Sequence, residues 1–352
     1  MPKTDLKALS RAELEAFVKT QGQPAFRSRQ LFSWMHGKGA SSFEAMSNLP
    51  KAFRAKLEDV AYLSSLRCVT MQTATDQTAK ALLELDSGRR VETVLIPDFK
   101  PDGTARRLTV CVSSQVGCAM GCTFCATATM GLQQNLTAGD IIDQARFADD
   151  LAQRRFGRGI TNVVFMGMGE PLMNYEAVLQ AIDVMTSADG FGLSPKRITV
   201  STVGLAKRIR QLADDDTAFK LAISLHAPTD EQRSAIMPVN RSRRTDLSAL
   251  EDAVKHYYAV LKRPVTYEYC TLEGVNDSAE DAKHLARITR WAPSKVNLIV
   301  YNPVDGTGFT STSEEALNRF IRRLVAEGVT VTVRRSRGQD IDAACGQLAV
   351  SA

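Results

Sequence analysis

No apolar run in this 352-residue chain approaches the ~20 residues needed to span a bilayer. The opening Met-Pro-Lys-Thr-Asp lacks an apolar signal segment, so a cytoplasmic location is expected, with no membrane partner. No long low-complexity segment interrupts the chain. Cysteine is sparse, and its count of seven is odd, which argues against a secreted disulfide framework. The excess of basic over acidic residues is small, a formal net charge of +5, and permits an RNA partner without establishing one. What is present is an ordinary globular composition, 44 % hydrophobic and 24 % charged. The length suits one large domain with a smaller one.

Three of the seven cysteines crowd into Cys118-Ala-Met-Gly-Cys122-Thr-Phe-Cys125. Thiolates ligate iron or zinc far better than alkaline-earth ions, so the cluster points to metal. A closed structural site takes four protein ligands, whereas three leave one position open for a substrate or cofactor. The C-x3-C-x2-C spacing differs from the paired C-x2-C of zinc ribbons and favours an iron–sulfur site. Zinc with a distant fourth ligand is the competing assignment.

Residues 1–60 read as short helices. Ser10 is placed to cap a helix over 11–20, with Glu13 completing a capping box. Further helices are expected over 26–36 and after Leu49-Pro50. This stretch holds ten Lys or Arg against six Asp or Glu, most of the net positive charge. A nucleic-acid contact or a solvated helical surface explains that equally well. Residues 66–98 alternate as strands, giving a β-hairpin or small meander, and 99–107 reads as a loop.

From about residue 107 an apolar strand, a loop and an amphipathic helix recur. Strands are expected at 108–112, 162–166, 198–201, 220–225, 265–271 and 296–301, with a closing strand at 329–334. Helices follow at 138–153, 175–187, 204–213, 247–261, 278–290 and 313–327. Near-continuous apolar strands alternating with helices indicate a parallel sheet. Six βα units fall short of eight, so the expected α/β fold is a partial, open TIM-like barrel. The domain division is then 1–62 helical accessory module, 63–106 β-hairpin linker, and 107–352 barrel with a C-terminal tail.

Chemistry in such barrels sits at the C-terminal strand ends, and the unusual residues recur there. The cysteine loop follows the first strand, and Gly167-Met-Gly169-Glu170-Pro171 follows the second. Ser201 ends the third and Ser224-Leu225-His226 the fourth. The fifth leads to Glu273-Gly-Val-Asn-Asp277 and the sixth to Asn302-Pro303. Singly, each is explained as a turn or helix-cap residue. Their convergence on one rim with three cysteines points to a site.

The cysteine motif, the glycine-rich Gly167–Glu170 and six βα units resemble the radical S-adenosylmethionine (SAM) enzymes. Val112-Ser-Ser-Gln-Val-Gly-Cys118, Gly167-Met-Gly-Glu-Pro-Leu-Met-Asn174, Ile223-Ser-Leu-His-Ala-Pro228 and Arg337-Gly-Gln-Asp-Ile-Asp-Ala-Ala-Cys-Gly-Gln347 resemble the RlmN family more closely. That family methylates adenine C2 in 23S rRNA and tRNA, and the likeness covers nearly the whole chain, including Pro24–Trp34 of the N-terminal module. The resemblance implies that Cys118, Cys122 and Cys125 ligate a [4Fe–4S] cluster. It implies SAM contacts from Gly169, Glu170, Ser201, Ser224, Leu225, His226 and Asn302, with two SAM molecules per turnover. Cys345 would be S-methylated and, after hydrogen abstraction by a 5′-deoxyadenosyl radical, would bond to adenine C2. Cys111 would then release the adduct by forming a disulfide with Cys345, and Glu92 matches the proton acceptor.

Physical reasoning supports parts of this. Adenine C2 is electron-poor and no nucleophile, so a radical route suits it, and a carbon bridge from protein to base needs a thiol to break it. Cys111 should point into the barrel by strand alternation, whereas Cys68 and Cys270 are taken as structural. The implied partners are 23S rRNA, tRNA and a reductant protein such as flavodoxin or ferredoxin, acting on a monomer. The N-terminal module and Arg334-Arg335-Ser336-Arg337 are candidate phosphate contacts. The target adenine must be unstacked to react. Competing functions are adenine C8 methylation, which uses the same cysteines, and a non-catalytic zinc-stabilised RNA-binding protein.

Overall fold

The computed structural model describes residues 3–242 and 245–350. Its centre is a ten-stranded sheet. Strands Ala105–Cys111, Asn162–Phe165, Ile198–Thr202, Lys220–Ser224, Val265–Thr271, Ser294–Val300 and Val331–Arg334 lie side by side in that order, all parallel. Helices Ala138–Phe156, Tyr175–Thr186, Ala206–Asp214, Leu247–Leu261, Ala279–Ile288 and Glu314–Ala326 make the crossovers. Each crossover helix buries an apolar stripe, such as Leu250, Ala253, Val254 and Tyr257, against the strands. The first and last strands of the sheet do not pair with each other, so the barrel stays open.

The expected hairpin linker is part of the same sheet. Arg67–Thr73, Ala79–Glu84 and Arg90–Phe99 continue it antiparallel from the free edge of Ala105–Cys111. That edge carried unpaired backbone groups, which the added strands satisfy. The expected loop over 99–107 contracts to the turn between Phe99 and Ala105, closed by the Gly103 N–H donating to the Lys100 carbonyl. Short elements without strong periodicity were missed. Among them are the hairpin Gln115–Gly117 with Leu132–Asn135 at the base of the cysteine loop, the helix Ala126–Thr129, the helix pair Asp230–Ile236 and Val239–Ser242, and the parallel pair Thr4–Asp5 with Ala61–Tyr62.

The N-terminal helices Arg11–Thr20, Phe26–Phe32 and Lys51–Val60 form as expected, the first with the full Ser10–Glu13 capping box. The second ends in a π-helical turn, Ser33–Gly37. The module packs on two barrel helices. Lys7 pairs with Asp143 at 2.9 Å, the Gln180 amide donates to the Ala8 carbonyl at 3.1 Å, and Arg146 donates to the His36 carbonyl. Part of the module's positive charge is therefore spent on docking. Among the described residues no helix is long and apolar enough to cross a membrane.

Candidate active site

At the C-terminal end of the parallel strands lies a cavity of about 950 Å³, part of it open to solvent. Cys118, Cys122 and Cys125 form one side, and Gly169, Glu170, Ser201, Ser224 and His226 another. Cys345 closes it from the C-terminal tail. The fold thus brings together residues spread over 228 positions of sequence (118 to 345) on one wall-and-lid arrangement.

Several contacts shape the cysteine loop. Gly117 has φ +72°, and a Cβ there would lie 1.8 Å from the Gly131 carbonyl oxygen, so only glycine fits. The Cys118 N–H donates to that same oxygen at 3.0 Å. Thr123 donates its N–H to the Ile236 carbonyl, tying the loop to the helix pair that the sequence did not reveal. Burial pushes the Cys118 thiol up to about 12 and raises Cys122 and Cys125 as well. Three desolvated thiols on one wall need a cation to become thiolates, and a bound metal supplies one. Three soft thiolates with a coordination position left over are the donor set of an iron–sulfur cluster that binds a further ligand.

The opposite wall is built from backbone and carboxylate. Gly169, at φ +97°, lets the loop pass over Gln115, whose Cβ would be 2.5 Å from an added one. Gln115 in turn accepts the Glu170 N–H at 2.8 Å. The Glu170 carboxylate accepts from the Leu172 N–H at 3.0 Å and the Val203 N–H at 2.8 Å. Burial still pushes its pKa up to about 7. Asn174, the end of the glycine-rich motif, clasps the Ser114 and Leu136 carbonyls at 2.9 and 2.8 Å. The Ser201 and Ser224 hydroxyls stand 3.2 Å apart. His226 adopts φ +54°, and its Nδ1 accepts the Cys270 N–H at 3.0 Å, which leaves the ring proton on Nε2. Burial lowers its pKa to about 3, so the ring is a neutral donor.

Some expected residues lie elsewhere. Leu225 is fully buried and off the cavity wall. Asn302 is also off it: its Nδ2 donates to the Cys345 carbonyl at 3.4 Å, and its Oδ1 accepts from Gln339 at 3.0 Å. It holds the tail. Cys111 sits behind the wall, where burial, and then the neighbouring Cys345, push its thiol up to about 12. Cys111 pairs with Val94 on the neighbouring antiparallel strand and is buried. Glu92 is buried beneath the tail with Lys80, also off the wall. All seven cysteines are free thiols.

Other residues had been passed over. Cys270, taken as structural, lines the cavity, and Cys68, given the same role, is exposed on the sheet's edge strand. Glu268 lines the cavity too, one oxygen accepting from Asn297 at 2.7 Å. Alternation along Val265–Thr271 puts 268 and 270 on one face, a signal available in the sequence. Arg233 gave no such signal. Its fully buried guanidinium donates to Val203, Asn240 and Thr245, joining the Glu170 side of the site to the helix pair behind the cysteines.

Comparison with known proteins adds the family. The family described as "Ribosomal RNA large subunit methyltransferase N-terminal domain" matches residues 4–63, and the Radical SAM superfamily matches 112–286. A probable dual-specificity RNA methyltransferase RlmN from Salinibacter ruber is 58 % identical over 347 residues, spanning 99 % of this chain and 94 % of its own. A dual-specificity RNA methyltransferase RlmN from Anaeromyxobacter dehalogenans is 45 % identical, over 98 % of this chain and 91 % of its own. Among solved structures, a radical SAM methyltransferase from Sphaerobacter thermophilus superposes with a TM-score of 0.89 at 45 % identity, covering 98 % of this chain and 99 % of its own.

Proposed function

The chain belongs to the RlmN family of radical SAM RNA methyltransferases, and from that premise we propose that it methylates C2 of an adenine in 23S rRNA and in the anticodon loop of some tRNAs. The observation that carries this is the shared cavity: three cluster-ligand thiols and the tail's Cys345 face the same space. Cys118, Cys122 and Cys125 would hold the [4Fe–4S] cluster, with the Glu170 loop, Ser201, Ser224 and His226 around SAM. Cluster and SAM together supply a 5′-deoxyadenosyl radical when bound.

The protein's own residues do the rest. The His226 Nε2–H and the serine hydroxyls offer hydrogen bonds to polar groups of SAM. The Cys345 sulfur carries the one-carbon unit that becomes bonded to C2. Attack by the Cys111 thiolate on the Cys345 sulfur makes the S–S bond and breaks S–C. The electron pair passes to the carbon, which takes a proton to become the methyl group. For Glu92 to take the proton lost from C2, the tail amides now bonded to it must first leave. This disulfide is transient in the proposed cycle and is reduced before the next turnover, as a reducing cytoplasmic setting allows. A small reductant protein is the proposed electron source.

Mass spectrometry of rRNA and tRNA from a deletion strain, before and after complementation, tests the proposal. We expect 2-methyladenosine to vanish on deletion and return with the gene. Appearance of 8-methyladenosine alone on complementation would overturn it.

A further inference from the structure

The tail that delivers Cys345 is fastened at both ends to one buried ion pair that lies outside the cavity. Lys80 stands on Ala79–Glu84 and Glu92 on the neighbouring antiparallel strand. The register, Lys80 opposite Val94 and Leu82 opposite Glu92, makes them diagonal neighbours on one face of the hairpin. Lys80 Nζ lies 3.2 Å from Glu92 Oε1, with the two residues 5 % and 1 % exposed. Burying such a pair is costly unless its remaining hydrogen-bonding capacity is filled. Here the tail fills it. Lys80 donates to the Asp342 carbonyl at 3.3 Å, before Cys345. Glu92 Oε2 accepts the Ala349 N–H at 2.9 Å and the Val350 N–H at 3.4 Å, beyond it. Cys345 lies between the two attachments. The same sheet face carries Cys111, opposite Val94 on the next strand.

Other tail contacts are peripheral to this span or uncharged. Asp76 accepts the Gly338 N–H at 3.1 Å, the Ala126 N–H donates to the Gly346 carbonyl at 2.8 Å, and Asn302 reaches the Cys345 carbonyl. The Lys80–Glu92 pair is the charged anchor that grips both flanks of the thiol. We infer that Lys80 is a positioning residue for Cys345, acting through Glu92 and the tail segment 342–350. Releasing the pair loosens the tail and exposes the thiol. The meaning given to Cys345 rests on the proposed function, but the position of its thiol is measurable without any reaction.

The test uses the iron-loaded full chain without SAM under anaerobic conditions. Iodoacetamide alkylation of Cys345 is followed by peptide mass spectrometry, with the exposed Cys68 on the sheet edge as reference within each molecule. Lys80→Met should raise the Cys345-to-Cys68 rate ratio about tenfold, the factor associated with losing one or two buried hydrogen bonds that hold a segment closed. Lys80→Arg, which keeps the charge, should restore the ratio to within about twofold of wild type. A chain ending at Leu348 removes the amides that Glu92 accepts, together with the partly buried Val350, while keeping the buried Leu348, and should raise the ratio as Lys80→Met does. An unchanged ratio in the shortened chain, with wild-type iron content, overturns the inference even where Lys80→Met fails to fold. A wild-type enzyme that leaves RNA unmethylated, while the variants shift the ratio as stated, would instead sink the proposed function and spare the anchor.

Discussion

In the proposed reaction Cys111 acts as a thiolate, yet its surroundings disfavour that form. Burial and the nearby Cys345 push its pKa up to about 12, so at neutral pH only a minute fraction is ionised. A thiol so rarely ionised is slow to form a disulfide in the resting enzyme. Replacing it should stall the reaction after carbon–carbon bond formation. We expect Cys111→Ala to accumulate a covalent protein–RNA species on denaturing gels, whereas Cys345→Ala accumulates none. Equal turnover of Cys111→Ala and wild type would remove Cys111 from the reaction. The sign of the pH effect follows from the raised value. Decay of the adduct in the wild type should quicken by up to about tenfold per pH unit from 7 to 9, tracking the thiolate fraction.

At the scale of elements, the small hairpin Gln115–Gly117 with Leu132–Asn135 does more for the site than its length suggests. Its residues support both walls: Gln115 holds the Glu170 loop, and Gly117 sets the turn into Cys118. Gly117→Ala forces a Cβ onto the Gly131 carbonyl in a left-handed conformation, a strain of about 1–3 kcal/mol before the clash is counted. The loop should respond by shifting Cys118. Iron and sulfide analysis after reconstitution should find cluster content at half the wild-type level or lower. Full occupancy in Gly117→Ala would show that the loop tolerates the shift. This element was illegible beforehand because three- and four-residue strands carry too little periodicity to register. The barrel helices, with nine or more residues and one apolar face, were placed to within a few residues. Gly169, Glu170, Ser201 and His226 could be found from their strand ends. Asn302 and Glu92 could not be placed, since their partners are tail atoms more than forty and two hundred and fifty positions away.

Across the whole molecule, the N-terminal module is tied to the barrel by groups whose charge is compromised by burial. Asp143 is pushed up to about 6 by burial even though Lys7 is paired with it. His36 lies in the same interface. It is 1 % exposed, its Nδ1 has no hydrogen-bond partner, and its carbonyl accepts from Arg146 of the barrel. Its ring meets Phe32 edge-on, with centroids 4.7 Å apart. Burial, followed by Lys7, Arg146 and Arg11, lowers its pKa to about 3. The unfolded chain takes up a proton near pH 6.5 that the folded ring refuses. Stability attributed to His36 is therefore intact above about pH 6.5 and is lost as pH falls toward 3. At pH 5 the loss amounts to about 2 kcal/mol, from 1.36 kcal/mol per pH unit below the unfolded value. His36→Leu keeps an apolar side chain beside Phe32 and removes both the unpartnered nitrogen and the titration. Urea unfolding of both chains at pH 8 and pH 5 isolates the term, because the titrations of Glu170 and Asp143 are common to both. We expect the stability of wild type relative to His36→Leu to fall by that amount between the two conditions. A difference that stays constant with pH would mean that the His36 ring takes up its proton in the folded interface.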